Sequence, residues 1–78
     1  MIFLIEYDRD VGMLFRVDQF VDSFRQEAED RRLSLEIENL HAGITREVVL
    51  LEAATESDLR RTHRRYFERI EDLTRLPA

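Results

Sequence analysis

Cationic and aromatic side chains are concentrated in one short segment, residues 60–67, which reads Arg-Arg-Thr-His-Arg-Arg-Tyr-Phe. The stretch from Arg60 to Arg69 contains five arginines and one glutamate, whereas the formal net charge of the whole chain is -5. The rest of the chain is therefore strongly acidic. Such segregation of charge is typical of a surface that binds an anion, a nucleic acid or an acidic partner, and also of the solvated face of a helix.

The helical period divides this segment into two sides. At about 100° per residue, one side collects Leu59, Thr62, His63, Tyr66, Phe67, Ile70 and Leu73. The other side is charged and includes the five arginines of the candidate binding surface: Arg60, Arg61, Arg64, Arg65 and Arg69. This pattern predicts an amphipathic helix whose aromatic residues pack inward and whose arginines face solvent.

Local pairing is expected to occupy part of this charge. Asp58 lies three residues before Arg61, a spacing that favours an ion pair on a helix. Arg64 lies four residues before Glu68 and Asp72 three before Arg75, whereas Arg60, Arg61 and Arg65 have fewer local partners. A phosphate or carboxylate at the start of this helix is a further possibility, although two acidic residues in the first turn, Glu56 and Asp58, would repel it.

His63 and Tyr66 fall within the apolar arc, where they either belong to the core or line a small pocket, with Tyr7 as a further candidate. Catalysis by His63 would need a positioned partner, and the sequence indicates none. We therefore interpret His63 first as a structural residue. The sequence predicts no catalytic residue, and the chain is not expected to be an enzyme.

Other chemistry-bearing patterns are incomplete. Glu38 and His41 form a single Glu-x-x-His pair, which di-iron helix bundles use twice. Asp8 to Gly12 resembles the start of a calcium-binding loop, but its glycine comes one position early, and Gln19 stands where the bidentate glutamate belongs. Ser23, Ser34 and Ser57 are not in nucleophile-elbow sequences. The sequence predicts no metal site and no cofactor.

Composition narrows the classes of function further. All 12 basic residues are arginines and the chain contains no cysteine, so lysine chemistry, disulfides and thiolate metal sites are excluded. A GC-rich coding genome is sufficient to explain the arginine bias. The apolar start of the chain meets Glu6 too early for a signal peptide or a membrane-spanning helix. We expect a cytoplasmic protein that does not act at a membrane.

Three apolar segments predict strands. Ile2 to Tyr7 is nearly all apolar and predicts an interior strand covered on both faces. Met13 to Phe20 alternates, with Met13, Phe15 and Val17 on one face and Leu14, Arg16 and Asp18 on the other, as in an edge strand. The five residues before Met13 predict a hairpin loop with Gly12 at positive φ. Glu47 to Ala53 predicts a third strand.

Two helices complete the pattern. Asp22 and Ser23 are candidate N-caps, Ser23 and Gln26 have capping-box spacing, and Gly43 is placed to end the first helix after His41. Residues 33–38 also alternate with period two, so a shorter helix followed by a strand is an alternative. The second helix is predicted from the capping box at Thr55 to about Leu73.

The first helix carries two apolar stripes. One consists of Phe24, Ala28 and Leu35, and the other consists of Leu33, Ile37 and Leu40. The element order is strand, strand, helix, strand, helix, which predicts a two-layer α+β domain over residues 1–78, with a mainly antiparallel sheet in the order 2-1-3. One sheet cannot cover both stripes, and two helices on one face would leave the other face bare.

Either the helices divide between the two faces or a second copy covers the remaining apolar surface. The leading hypothesis is a non-enzymatic homodimeric interaction or regulatory module, formed through a sheet face or through the second stripe of the first helix. A different protein partner is also possible. The alternative function is binding of nucleic acid or of a small anion through the arginines from Arg60 to Arg69.

Overall fold

The computed structural model describes residues 1–67 and contains a three-stranded antiparallel sheet with two helices. The elements are β1 (Ile2–Asp8), β2 (Met13–Phe20), α1 (Arg25–Ala42), β3 (Glu47–Glu52) and α2 (Glu56–Thr62). The sheet order β2-β1-β3 places β1 in the centre. The predicted α+β class, ββαβα order and strand order are confirmed.

The central strand is buried along almost its whole length because both of its faces are covered. Its odd-numbered residues Phe3, Ile5 and Tyr7 form a core cluster with Leu59 and Tyr66. On the opposite face Leu4 packs with Leu35 of α1 and with Val48 of β3. The helices therefore lie on opposite faces of the sheet. Of the two arrangements that the sequence left open, this is the one in which the helices divide between the faces.

Strand β2 departs from simple alternation. Glu6 pairs with Arg16 and Tyr7 pairs with Leu14, so Phe15 is an extra residue that has no partner in β1. This β-bulge moves Leu14 to the same face as Val17, where both pack against the cluster around Phe3. The predicted placement of Leu14 on the face opposite Val17 is therefore wrong.

Helix α1 is continuous over 18 residues and includes residues 33–38, so the alternative of a strand there is wrong. Gly43 ends the helix at φ 69°, and the N–H of Ile44 donates to the carbonyl of Asn39 at 2.8 Å. This is a Schellman ending, as the glycine predicted.

The start of α1 differs from the prediction. A 3₁₀ turn over Asp22–Phe24 precedes it, and no side chain caps either segment. The carboxylate of Asp22 instead accepts a hydrogen bond from the Met1 ammonium group at 2.6 Å, and Gln26 donates to Asp30. Because a 3₁₀ turn rotates the chain faster than an α-helix, Phe24 leaves the buried stripe and is half exposed.

Helix α2 begins as predicted, with the Thr55 hydroxyl accepting from the Asp58 N–H at 3.1 Å, but it does not continue through residue 67. His63 has non-helical φ and ψ, and a 3₁₀ turn over Arg64–Tyr66 follows. The Thr62 hydroxyl donates a hydrogen bond to the carbonyl of Asp58. This side-chain hydrogen bond competes with the backbone hydrogen bonds that would continue the helix. The part of the predicted helix from residue 68 to Leu73 lies outside the described residues.

None of the helices within residues 1–67 combines the length and the apolar character needed to cross a bilayer.

Candidate functional site

The outer surface of α1 carries an exposed row of apolar side chains. Ala28 and Leu35 of this helix are buried against the sheet, being 0% and 3% exposed. On the opposite side Leu33 is 52%, Ile37 46% and Leu40 76% exposed, and Ile44, just after the helix, is 39% exposed. These four residues are named here the outer stripe. At about 100° per residue, Ile37 lies about 180° round the helix from Ala28, so the sheet cannot cover it.

The sequence identified Leu33, Ile37 and Leu40 as a second stripe, and their exposure confirms that the sheet leaves this stripe uncovered. Ile44 follows the left-handed Gly43 and so lies outside the helical period, but its side chain is also exposed. A run of large apolar residues on one side of a surface helix is typical of an interaction surface.

Beneath the opposite side of α1 lies a charged cluster centred on Glu6. The Glu6 side chain projects from the central strand and its residue is only 2% exposed. Its Oε2 accepts hydrogen bonds from Asn39 Nδ2 at 3.1 Å and from Arg46 Nη1 at 3.2 Å, and its Oε1 accepts from Arg16 Nε at 3.3 Å. One buried carboxylate thus connects the central strand to β2, to α1 and to the residue that precedes β3.

Burial of Glu6 opposes its ionisation, but the hydrogen bonds from Asn39, Arg46 and Arg16 outweigh this effect and hold the pKa of the carboxyl below its ordinary value. The group is therefore charged at neutral pH. The Arg46 guanidinium also stacks on the bulged Phe15, with its carbon 3.4 Å from the ring centroid. Sequence reasoning missed this cluster. The signal in the sequence was the single glutamate of the predicted interior strand. A buried carboxylate requires cationic partners, so this glutamate indicates that arginines pack around it.

A second polar cluster lies on the α2 face at Tyr66. The Tyr66 hydroxyl donates to Glu47 Oε1 at 2.9 Å, and Arg65 Nη2 donates to the same oxygen at 2.8 Å. The Tyr66 ring meets Tyr7 edge to face, with 5.3 Å between centroids. Burial and the hydrogen bond to Glu47 raise the pKa of the Tyr66 hydroxyl. Tyr66 is therefore a core residue with a satisfied hydroxyl.

His63, the other residue of the candidate pocket, lies at the end of α2 and is half exposed. Its Nδ1 is 2.9 Å from the Thr62 hydroxyl. Tyr66 and Tyr7 contact each other in the core. The contact of the His63 ring is instead with Thr62, the preceding residue. Among residues 1–67, no group of three or more His, Cys, Asp or Glu side chains has the arrangement of a metal site.

The four described arginines of the candidate binding surface are exposed, and three of them form ion pairs within the chain. Arg60 is 3.6 Å from Glu56, Arg61 is 3.1 Å from Asp58 and Arg65 is 2.8 Å from Glu47. Arg64 is exposed in the 3₁₀ turn, and Arg69 lies outside the described residues. The pair between Arg65 and Glu47 joins residues 18 positions apart and was not visible as a local spacing.

The described residues define a small α+β fold in which the outer stripe of α1 is exposed. Comparison of the chain with protein-family models, with curated proteins and with solved structures finds no match. The function is therefore inferred from the residues and contacts described above.

Proposed function

We propose that this chain is a small self-associating interaction module in which two copies dimerise through the outer stripe of α1. The observation that carries the proposal is the exposure of Leu33, Ile37, Leu40 and Ile44 on the helix side away from the sheet. Water-exposed apolar rows of this kind gain free energy when a second apolar surface covers them.

A second copy suits the stripe because the row has the spacing with which a helix packs along an identical helix. Within the helix, the steps from Leu33 to Ile37 and from Ile37 to Leu40 are four and three residues. This alternation is the heptad pattern of coiled coils, in which each apolar side chain enters a gap on the facing helix. The pattern supports a symmetric helix pair rather than a flat or polar partner surface.

The arginines offer less support for the alternative function. An incoming phosphate would compete with Glu56, Asp58 and Glu47 for Arg60, Arg61 and Arg65. The net charge of -5 also opposes approach to a polyanion. Binding of nucleic acid or of a small anion therefore stands as an outcome that the experiment below must be able to detect.

The proposed role is binding rather than catalysis, and it requires no cofactor. A cytoplasmic location belongs to the same proposal, because a chain with no cysteine has no need of an oxidising compartment. Two acidic copies repel one another through their net charge, and salt screens that repulsion. Self-association should therefore strengthen as ionic strength rises, whereas binding to nucleic acid would weaken.

The test compares the wild-type chain with Leu40→Asp by sedimentation equilibrium or light scattering over a range of concentrations and salt. Wild type should form a concentration-dependent dimer, and Leu40→Asp should be monomeric with unchanged circular dichroism because Leu40 is 76% exposed. Val11→Asp is the matched control: it adds the same charge at an exposed apolar residue of the hairpin loop and should dimerise like wild type.

A wild-type chain that is monomeric at every concentration, or a Leu40→Asp dimer as tight as wild type, would overturn the proposal. Retardation of DNA or RNA fragments at low salt, lost on replacing Arg60 and Arg61 by Gln, would instead favour the arginine surface.

A further inference from the structure

We infer that the second copy also pairs with the free edge of β3, so that the two sheets join into one and the two α1 helices lie side by side on the same face. This inference rests on the proposed function and names a second part of the same interface. It is carried by the direction of the backbone groups of β3 and by the position of α1 above that strand.

Strand β3 has backbone hydrogen-bonding groups that no described strand uses. Within residues 1–67, β3 pairs with β1 alone and forms one edge of the sheet. The N–H of Ala53 donates to the carbonyl of Met1 at 3.2 Å. Because the hydrogen bonds of an antiparallel pair alternate, the odd-numbered residues of β3 also bond towards β1. The groups that point away from the sheet belong to the even-numbered residues Val48, Leu50 and Glu52.

This edge lacks the features that discourage pairing at the other edge. Strand β2 has the bulge at Phe15 and carries the charged side chains of Arg16 and Asp18, and both features discourage pairing of edge strands. In β3 the four residues between the terminal glutamates are all apolar, and its register with β1 has no bulge. A regular apolar edge of this kind can add a strand from another chain. The open edge is therefore that of β3.

Helix α1 lies next to this edge. Its residue Leu35 packs on Leu4 of β1 and on Val48 of β3. Arg25, the first residue of the helix, forms an ion pair with Glu52, the last residue of β3. The helix therefore lies over β1 and β3, and the side that carries Arg25 is the side towards the free edge.

The two leucines of the outer stripe lie on that same side of α1. At about 100° per residue, Arg25 lies about 60° round the helix from Ala28, Leu40 about 120° and Leu33 about 140° in the same direction. Paired strands are about 4.8 Å apart, so two helices that each lie between β1 and β3 would be about 10 Å apart after edge pairing. Helices pack at about this distance. Pairing of the two β3 edges therefore brings the leucine sides of the two helices together.

The size of the outer stripe also requires a larger interface. An aliphatic side chain of this size removes on the order of 100 Å² from water when it is buried, so the four residues of the stripe supply roughly 400 Å² at most. Each partner in an interface of standard size supplies roughly 800 Å². Edge pairing of β3 adds contact area and main-chain hydrogen bonds beside the stripe, and a second copy of this chain supplies both at once.

Amide hydrogen exchange followed by NMR tests the edge pairing on the natural chain. In the wild-type dimer the N–H groups of Val48, Leu50 and Glu52 should exchange at least about tenfold more slowly than in Leu40→Asp, because carbonyls of the partner accept from them. The amides of Val17 and Gln19 are the matched control. They point outward from β2, since the even-numbered residues of β1 bond towards that strand, and they should exchange rapidly in both proteins.

The outcomes separate the two proposals. A wild-type dimer in which the three β3 amides exchange as rapidly as those of Val17 and Gln19 overturns the edge pairing and leaves the proposed function standing. Slow exchange of the β3 amides in both wild type and monomeric Leu40→Asp also overturns the edge pairing, because the partner of these groups would then lie within one chain. A wild-type chain that is monomeric at every concentration overturns both proposals.

Discussion

At the scale of single residues, Glu6 is the side chain that connects most of the fold. Its carboxylate accepts from Arg16 on β2, from Asn39 on α1 and from Arg46 at the entrance to β3. A carboxylate in this position is expensive to bury unless every oxygen is paired. Glu6 therefore contributes to the specificity of the packing only as long as it stays ionised.

Replacing Glu6 by Gln should lower the free energy of unfolding by about 2–3 kcal/mol, because it removes charge-assisted hydrogen bonds, leaves Arg46 without its counter-charge and leaves Arg16 only its pair with Asp18. Urea unfolding at neutral pH measures this change. Glu36→Gln is the matched control, since Glu36 pairs with Arg32 on the exposed surface of α1 and should cost less than about 1 kcal/mol.

The same carboxylate predicts an acid-labile contribution to stability. Because the pKa of Glu6 is lower in the folded chain than its ordinary value of 4.5, its contribution is complete above that pH and is lost as pH falls through the folded pKa. Between about pH 5 and about pH 3, wild type should lose more stability than Glu6→Gln. Equal losses in the two proteins would contradict this role for Glu6.

At the scale of elements, α1 determines what the molecule exposes. Its inner side supplies Ala28, Leu35 and Asn39 to the sheet, and its outer side leaves the outer stripe uncovered. Gly43 ends the helix, so Ile44 lies beyond its last turn. The glycine is used here for a backbone conformation that other residues reach only with strain.

Gly43→Ala should therefore destabilise the chain by about 1 kcal/mol through backbone strain alone, since a Cβ at this position would meet nothing within 4 Å. Thermal or urea unfolding measures the change. Gly43→Asn should cost less because asparagine tolerates the left-handed region better. If alanine and asparagine proved equally harmless, the helix ending would not depend on the left-handed conformation.

At the scale of the whole molecule, the two helices lie on opposite faces of the sheet, and α1 carries the outer stripe. Other large apolar side chains are also exposed, namely Val11, Met13, Phe15, Val21 and Phe24. A dimer that buries the outer stripe should be more stable than its separated chains. The thermal midpoint of wild type should then rise by roughly 3–6 °C for each tenfold increase in concentration, as mass action requires.

Differential scanning calorimetry at several concentrations measures this dependence. Leu40→Asp should show a concentration-independent midpoint, whereas Val11→Asp should behave like wild type. A midpoint that does not change with wild-type concentration would mean that the folded monomer is sufficient by itself.

The sequence by itself was enough to predict the order of elements, the central position of β1, the ending of α1 at Gly43 and the second stripe on α1. These features depend on local periodicity and on the conformational freedom of glycine, both of which can be read from neighbouring residues. The exposure of Arg60 and Arg61 on α2 followed from the same period.

Only the tertiary structure decided the bulge at Phe15, the end of α2 at Thr62 and the partners of Glu6 and Arg65. The partners of Glu6 and Arg65 are distant in sequence: Glu6 reaches Arg46 across 40 positions, and Arg65 reaches Glu47 across 18. Local propensity is a weak preference of a few tenths of a kcal/mol to about 1 kcal/mol per residue, and such long-range contacts override it. The long-range pair of Arg65 with Glu47 adds to the local pairs of Arg60 with Glu56 and of Arg61 with Asp58, so the chain's own carboxylates hold these three arginines.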